Sequence, residues 1–331
     1  MERPSLLVNN WASRIFSGAE SFEALALSAF QYQAACNPIY SAYIQALGVD
    51  PSSVHTLTNI PFLPIRFFKT HAIKTGDFEP ALIFESSTTT GTTPSRHFVK
   101  NSSIYQESYT RGFHQFWGDP ANYCILGLLP SYLERQHSSL VYMMEDLIKK
   151  SGHPLSGFYL NDFDTLQKTL QQLEAQKQPT LLLGATFALL DFAASHPMSL
   201  QHTTIIETGG MKGRGIELTR AAVHAQLQKA FALTSIGSEY GMTELLSQAW
   251  SKQEGQFTCP AWMKVLIREE EDPLQVKLTG AGAINIIDLA NIDSCCFIGT
   301  DDAGKVFADG KFELLGRLDS SDVRGCSLLT A

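Results

Sequence analysis

The sequence has few charged residues, and acidic residues outnumber basic ones. Of 331 residues, 25 are lysine or arginine and 33 are aspartate or glutamate, giving a formal net charge of −8. A chain with this balance and no basic tract lacks the charge pattern that binds phosphate backbones, so nucleic-acid binding is not expected. Charged residues make up 18% of the chain and hydrophobic residues 44%. Ordinary domains carry roughly 25% charged residues, so this composition predicts a large buried core rather than disorder.

No apolar stretch is long enough to cross a bilayer. The richest one, 181–194, contains Gly184 and Asp191 and is shorter than the about 20 residues that a spanning helix needs. Residues 1–16 have no continuous apolar core, so no signal peptide is expected. We therefore predict a cytoplasmic protein without stable membrane insertion.

Several motifs that identify common enzyme and metal-binding classes are missing. The six cysteines form no CxxC and the nine histidines form no HExxH, so neither a disulfide scaffold nor a zinc site is expected. There is no GxxxxGK[ST] loop, no GxGxxG after a strand and no GxSxG. The sequence therefore does not match the P-loop NTPases, the dinucleotide-binding fingerprint or the α/β-hydrolases.

Strand-like apolar runs alternate with helical patterns, which is typical of α/β layers. The predicted strands lie at 81–84, 123–129, 180–183, 203–206 and 263–267, and the predicted helices at 20–36, 163–176 and 219–232. The helix over 20–36 is expected to stop at Asn37-Pro38.

From about residue 262 the pattern changes to short strands separated by Gly and Asp turns. These strands are predicted at 275–278, 283–288, 306–307 and 312–315. We therefore predict an α/β core over 1–260 and a β-rich subdomain over 261–331 that ends in a short C-terminal arm.

A hydroxyl-rich segment, 86–95, directly follows the strand at 81–84. It contains Ser86, Ser87, Thr88, Thr89, Thr90 and Gly91. The backbone N–H groups and hydroxyls of such a loop can surround an anion. A solvated Ser/Thr turn is the alternative interpretation, and composition alone does not decide between the two.

Four segments, taken in chain order, resemble the hallmarks of the adenylate-forming (acyl-adenylating) enzyme superfamily. They are 86–91 with Pro94, Tyr240-Gly241-Met242-Thr243-Glu244, Thr300-Asp301, and Gly316-Arg317-Leu318-Asp319. An ordered set of four is more specific than any one of them, and the similarity spans residues 84–326.

Within that superfamily, the sequence is most similar to the acyl-protein synthetase family of bacterial luminescence systems and its non-luminescent relatives. The similarity is carried by 129–135, 138–143, 207–214 and 238–245. It implies an α/β adenylate-forming core of layered sheets with flanking helices and a C-terminal β-rich subdomain. Because the sequence stops soon after Asp319, we expect the C-terminal lid domain of larger members to be absent. The implied activity is ATP- and Mg²⁺-dependent activation of a carboxylic acid, followed by acyl transfer to a thiol.

The resemblance also implies roles for individual residues. It implies that the loop 86–94 donates to the β- and γ-phosphates and that Thr243 bonds the α-phosphate. Tyr240 would offer a flat face to adenine, with Gly241 also in the nucleotide site, and Glu244 would hold Mg²⁺. Asp301 would accept from the ribose hydroxyls, and Arg317 would be the nearest fixed positive charge for the phosphate or ribose. Without the motif, Glu244 could cap or pair on a helix surface, and Thr300–Gly304 alone is typical of a hairpin turn.

A second set of candidates would seat the acid substrate. Gly209, Gly210 and Lys212 belong to a glycine-rich loop that lines the nucleotide or acyl channel in the resembled family; a solvated basic turn is the alternative. Arg135 and His137 follow a strand end, where α/β sheets place ligands.

Three features depart from the common superfamily pattern or extend it. Thr88 stands where the loop usually has glycine, and Ser95-Arg96 replaces the usual lysine region, so Arg96 could supply that charge. Cys326 matches the position of the acylated cysteine on the family's C-terminal arm. A thiolate is a good acyl acceptor, and Arg324 could lower its pKa; a packed strand cysteine is the alternative.

The leading hypothesis is therefore an acyl-protein synthetase, an AMP-forming acid–thiol ligase. Its expected partners are ATP, Mg²⁺, a fatty or other hydrophobic carboxylic acid and an acyl-acceptor or acyl-donor protein. Apolar and aromatic residues in 105–117 and 126–142 suit such an acid. The alternatives are an acid–CoA ligase resembling the phenylacetate type and a nucleotide- or acyl-binding module with reduced catalysis.

Overall fold

The computed structural model describes residues 10–87, 93–129, 137–160, 162–209 and 218–318. The α-helices of these ranges are α1 (Trp11–Ser17), α2 (Phe22–Cys36), α3 (Pro38–Ala46), α4 (Phe67–Thr70), α5 (Ser102–Trp117), α6 (Ser139–Ser151), α7 (Phe163–Ala175), α8 (Thr186–Ser195) and α9 (Arg220–Phe231). The strands are β1 (Leu63–Pro64), β2 (Leu82–Glu85), β3 (Arg96–Val99), β4 (Cys124–Leu128), β5 (Gly157–Phe158), β6 (Thr180–Ala185), β7 (Thr203–Thr208), β8 (Gly237–Tyr240), β9 (Ala249–Ser251), β10 (Met263–Arg268), β11 (Val276–Lys277), β12 (Gly280–Asp288), β13 (Phe297–Val306) and β14 (Phe312–Arg317).

A largely parallel sheet forms the first layer. Its strand order is β5-β4-β6-β7-β8-β9, and only the β8–β9 pairing is antiparallel. Strand β4 is buried along its whole length, as expected for a parallel strand covered on both faces. The carboxyl ends of β4, β6, β7 and β8 therefore lie at one edge of the sheet.

A second, mostly antiparallel sheet is built from the last third of the chain. Its order is β1-β13-β12-β10-β11, with β14 paired to β13. Strand β1 comes from the first third of the chain and pairs parallel with β13 at Leu63–Ile298. Gly304 in β13 lies where a Cβ would come within 2.6 Å of the Glu313 carbonyl oxygen. Only glycine lets β14 approach β13 this closely.

A separate hairpin carries the hydroxyl-rich segment. Strands β2 and β3 pair antiparallel from Leu82–Val99 to Glu85–Arg96. The segment between them is closed at its base by Ser86 and Ser95. The Ser86 N–H donates to the Ser95 carbonyl at 3.0 Å, and the Ser95 N–H donates to Ser86 Oγ at 2.9 Å.

The N-terminal helices pack against the second sheet through aromatic rings. Tyr40 stacks on Phe297 with ring centroids 5.9 Å apart, and Phe30 meets both rings edge to face. The Tyr40 hydroxyl donates to the Pro61 carbonyl at 2.5 Å, which satisfies its polar end inside the core. These contacts fix α2 and α3 on β13, the strand that carries the predicted ribose site.

The α/β fold class predicted from the sequence is confirmed. Helix α2 ends at Cys36 because Asn37 and Pro38 begin α3, with the Asn37 side chain accepting from the Tyr40 N–H at 3.1 Å. The main difference is β13, which runs without a break through 300–304, where a hairpin turn was the alternative interpretation. The division at residues 260 and 261 stays a prediction.

Among the described helices, none combines the length and the apolar character that crossing a bilayer would require.

Candidate active site

The predicted site segments leave the parallel sheet at its carboxyl edge. Residues 241–244 follow the end of β8, and Gly209 follows the end of β7. In open α/β sheets, ligands bind at this edge, where successive strands release their loops. Gly209 has a φ of 78°, a left-handed conformation that favours glycine.

The buried carboxylate of Glu239 joins the ends of β7 and β8. Glu239 accepts a short hydrogen bond from the Thr208 hydroxyl. Its carboxylate fills the space beside Gly241, where a Cβ would collide with it. Glycine at 241 therefore lets the Glu239 carboxylate lie directly against the backbone of the predicted segment.

Tyr240 points away from solvent and toward the second sheet. Its side chain is 7% exposed, and its ring meets Phe257 and Phe312 at centroid distances of 5.9 and 5.6 Å. Its hydroxyl donates to Asp302 Oδ2 at 2.8 Å. The residue thus joins the parallel sheet to β13; its face toward adenine stays a prediction.

Asp301 and Asp302 point in different directions. Asp301 lies 3.2 Å from Arg66 Nε, with both side chains largely exposed. Asp302 accepts from Tyr240 and lies 3.6 Å from Arg317 Nε, with only 16% of its side chain exposed. Burial raises the pKa of Asp302, whereas the Tyr240 hydrogen bond and the Arg317 charge oppose this shift. Because successive strand residues face opposite sides, only one of the two can face the Tyr240 segment.

Glu244 is a buried carboxyl close to Ser95, at the base of the hydroxyl-rich segment. It is 6% exposed, and burial raises its pKa. The Ser95 hydroxyl and the charges of Lys69 and Arg317 act in the opposite direction. A buried acid whose pKa shift is opposed by a hydroxyl and two positive charges is a candidate for a functional site.

The backbone of residues 243–246 is held by buried side chains. The Thr243 carbonyl contacts His97 Nδ1 at 2.9 Å, and the Glu244 carbonyl accepts from Asn291 Nδ2 at 2.8 Å. The Leu246 N–H donates to Asp288 Oδ2 at 2.9 Å and to Asn291 Oδ1 at 3.0 Å. These hydrogen bonds hold the backbone of 243–246 in one defined position.

The remaining predicted residues divide into two groups. His137 is exposed, its Nδ1 lies 3.3 Å from the Ile83 carbonyl, and its own carbonyl accepts from the Glu85 N–H. This places it beside the base of the β2–β3 hairpin. The others lie outside the described residues: Thr88, Thr89, Thr90, Gly91, Arg135, Gly210, Lys212 and Cys326.

Several residues of this region were missed by the sequence reasoning. Asp302 is one position from the predicted Asp301, and strand alternation could have raised it as a candidate. His97 and Asn291 act through backbone carbonyls, and no motif signals that kind of contact. Arg66 and Lys69 come from α4 and the turn before it, far from the motifs in sequence.

The described residues contain no cluster of three or more His, Cys, Asp or Glu side chains that could hold a metal ion. A magnesium ion in a nucleotide site needs only one or two protein carboxylates, because phosphate oxygens and water supply the other ligands. Glu244, at the base of the hydroxyl-rich segment, fits that requirement.

No family model matches the chain, and no curated protein matches it. Solved structures match its fold. ATP-bound MatB from Rhodopseudomonas palustris is 17% identical with a TM-score of 0.53, over 84% of this chain and 52% of MatB. The ATP-bound chimera B3 of RpMatB and BxBclM is 16% identical with a TM-score of 0.53 and the same coverage.

The chain shares the fold of MatB, as the sequence resemblance to the adenylate-forming superfamily predicted. At this level of identity, the matches establish the fold and nothing finer. The chain spans about half the length of the solved structures that it matches.

Proposed function

We propose that this chain activates a carboxylic acid with ATP to form an acyl-adenylate. One observation carries the proposal. The end of β8 meets the β13–β14 ladder through Tyr240, Asp302 and Arg317, at the edge of the sheet where open α/β sheets bind ligands. The adenylate-forming fold supports the reaction class, and the bound ATP of MatB supports ATP as the nucleotide.

The first half-reaction is a displacement at phosphorus. A carboxylate oxygen of the acid attacks the α-phosphorus of ATP, and a new P–O bond forms. The bond to the bridging oxygen of the β-phosphate breaks, and pyrophosphate leaves with that electron pair. Charge develops on phosphate oxygens, so the protein contributes mainly positioning and electrostatic stabilisation.

Residues after β8 and in β13 and β14 would supply this positioning and electrostatic stabilisation. The Thr243 hydroxyl donates to an α-phosphate oxygen, and the backbone contacts at 243 and 244 keep it in place. Arg317 adds positive charge next to Asp302. The ribose hydroxyls donate to a carboxylate of β13. The sequence predicts Asp301 for this role, and the structure adds Asp302 as a second candidate.

Glu244 would hold the magnesium ion of Mg·ATP, which neutralises charge on the phosphates when bound. Its buried carboxyl must be ionised for this, and Lys69 and Arg317 favour the ionised form. Ser86 and Ser87 begin the segment that would surround the β- and γ-phosphates.

The proposed acid is hydrophobic, with a long-chain fatty acid as the leading choice. The helix that precedes β4 carries an aromatic cluster next to the β2–β3 hairpin. Tyr105 lies 5.3 Å from Phe84 and 5.9 Å from Tyr142 between ring centroids. Tyr105 and Phe84 are almost fully buried, so this cluster would form an apolar wall behind an acyl chain that lies between the hairpin and α6.

In the second half-reaction, a thiolate attacks the acyl carbon of the adenylate. A C–S bond forms, the C–O bond to AMP breaks, and AMP leaves. The proposed acceptor is the thiol of Cys326, with a partner protein or coenzyme A as the other possible acceptors.

Acid-dependent exchange of labelled pyrophosphate into ATP tests the first half-reaction. The protein is incubated with Mg·ATP, labelled pyrophosphate and a panel of fatty and aryl acids. We expect exchange with the longer apolar acids and none without acid. Silence across the whole panel, together with tight ATP binding by calorimetry, would support a nucleotide-binding module instead.

Intact-mass analysis after the same incubations identifies the acceptor. We expect a covalent acyl adduct in the wild type that Cys326→Ser abolishes, while pyrophosphate exchange continues. Adduct retained in Cys326→Ser points to another acceptor, and free acyl-CoA after addition of coenzyme A selects the acid–CoA ligase.

A further inference from the structure

His97 connects the β2–β3 hairpin to the segment after β8. It lies in β3 and is 1% exposed. Its Nδ1 is 2.9 Å from the Thr243 carbonyl oxygen, and its Nε2 is 2.8 Å from Ser294 Oγ. The Phe68 ring packs edge to face on the imidazole at 5.7 Å between ring centroids. Both ring nitrogens therefore have one defined partner inside the core.

The partners fix the tautomer of the ring. A carbonyl oxygen can only accept, so the His97 Nδ1 carries the proton and donates to Thr243. Burial lowers the pKa of His97 to about 4, so the ring is neutral near pH 7. The Nε2 then has a free lone pair, and the Ser294 hydroxyl donates to it.

Ser294, the partner of His97 Nε2, is itself held by buried hydrogen bonds. Its carbonyl accepts from Asn37 Nδ2 at 2.7 Å and from Thr75 Oγ1 at 2.6 Å, which anchors it to the start of α3 and to the segment that follows α4. Three residues earlier, Asn291 donates to the Glu244 carbonyl. The carbonyls of two consecutive residues, 243 and 244, are thus each held by one buried side chain.

We propose that His97 is a positioning residue that sets the Thr243 hydroxyl and the Glu244 carboxyl relative to the β2–β3 hairpin. This inference rests on the proposed function. His97 does not touch the nucleotide; it acts by holding the Thr243 carbonyl, while β3 links it to the strand end at Ser95. Ser95, at the base of the hairpin, and the residues after β8 then keep one mutual distance through the reaction.

Two amide substitutions separate this role from packing. In His97→Asn, the side-chain amide nitrogen lies near the position of Nδ1 and can still donate to Thr243. In His97→Gln, the amide lies near the position of Nε2, so it keeps a contact with Ser294 and loses the one with Thr243. Both variants remove the aromatic ring, and Asn fills less of the buried space than Gln. A loss caused by packing alone should therefore be at least as large in His97→Asn as in His97→Gln.

We expect His97→Gln to lower kcat for acid-dependent pyrophosphate exchange by about 10²-fold, the effect of a misplacement of about 1 Å. The KM for ATP should change by less than about threefold, because the phosphate contacts in the ground state remain. His97→Asn should stay within about threefold of the wild-type kcat. Long-range nitrogen–proton NMR correlations, assigned by the signal lost in His97→Asn, should show a protonated Nδ1 at His97.

Urea unfolding of both variants gives the control for stability. If both variants lose kcat to the same extent, or if kcat follows the loss of stability, His97 only packs and the inference is overturned. A protonated Nε2 in the NMR spectra overturns it as well. If the wild type itself shows no exchange, the proposed function is wrong and the inference about His97 is wrong with it. If the wild type shows exchange but the two variants do not differ, only the inference about His97 is wrong.

Discussion

The Tyr240 hydroxyl donates a 2.8 Å hydrogen bond to Asp302 Oδ2 and thereby joins the last parallel strand to the antiparallel sheet. The two residues are 62 positions apart in sequence. Asp302 is largely buried and has Arg317 beside its other oxygen, whereas Asp301 faces Arg66 on the other side of β13. The carboxylate that shares an environment with the Tyr240 segment is therefore Asp302.

Replacing each aspartate separately should reveal which one binds the nucleotide. Hydrogen bonds to a charged acceptor contribute about 1.5–3 kcal/mol each, so we expect Asp302→Asn to weaken ATP binding by tenfold or more. Asp301→Asn should weaken it by about twofold, because its exposed pair with Arg66 is worth little. Calorimetric titration with Mg·ATP measures both. A larger loss in Asp301→Asn would restore the sequence assignment.

Gly241→Ala should disturb the strand ends at the site. The new methyl group would collide with the Glu239 carboxylate, which must then release the Thr208 hydroxyl. Leaving a buried hydroxyl or carboxylate without its partner costs about 1–3 kcal/mol, and we expect a loss of that size in the free energy of unfolding.

Gly112→Ala is the matched control for that change. Gly112 lies inside α5, and a Cβ there has no atom within 4 Å. Alanine in a helix interior should raise the free energy of unfolding by about 0.5–1 kcal/mol. Urea titration of the two variants compares them directly. Equal stabilities would mean that the Glu239 carboxylate can move aside without cost.

The sequence predicted the layered fold because its strands are apolar runs of the right length. The buried run of β4 and the helix that stops at Asn37 are local patterns, and both were found close to the expected bounds. Strand β13 was missed over most of its length. Its residues 300–304 include two aspartates and a glycine, which locally favour a turn, and only pairing with β12 and β14 makes them a strand.

The motifs likewise identified positions but not orientations. Asp301 and Asp302 are equivalent by type and differ only in the face of β13 from which they project, which depends on strand register. The contacts of His97 and Asn291 with backbone carbonyls join residues far apart in sequence, and they follow from tertiary packing alone. A motif could not have indicated them.

Asp288 should make stability depend on pH in a defined window. Burial raises its pKa to about 6 from the model-peptide value of 3.8, although Ser247 and the N–H groups of Leu246 and Ala290 favour the ionised form. Because the folded pKa lies above the unfolded one, the native state binds the extra proton between these values. The contribution of Asp288 to stability is full below pH 4 and is lost as the pH rises to 6.

The loss should amount to about 3 kcal/mol, since one pKa unit corresponds to about 1.4 kcal/mol. Urea unfolding from pH 4 to pH 7 measures it as a difference between the wild type and Asp288→Asn, which cannot ionise. We expect the advantage of the wild type over the variant to shrink by about that amount across the range. A constant difference would mean that Asp288 stays ionised in the folded protein.

Glu244 should give opposite pH trends for stability and for activity. Burial raises its pKa above the usual value of 4.5, so the ligand-free protein gains stability as the pH falls through the raised pKa toward 4.5. Pyrophosphate exchange needs the ionised carboxylate and should fall over the same window.

Glu244→Gln should lose both trends and reduce exchange by about 10²–10³-fold, a typical effect of losing one electrostatic contact to the reacting phosphates. Glu244→Asp keeps the charge and should retain part of the activity with its pH dependence. Exchange rates and urea midpoints at matched pH values test the two trends, and exchange by Glu244→Gln at the wild-type rate would remove Glu244 from the magnesium site.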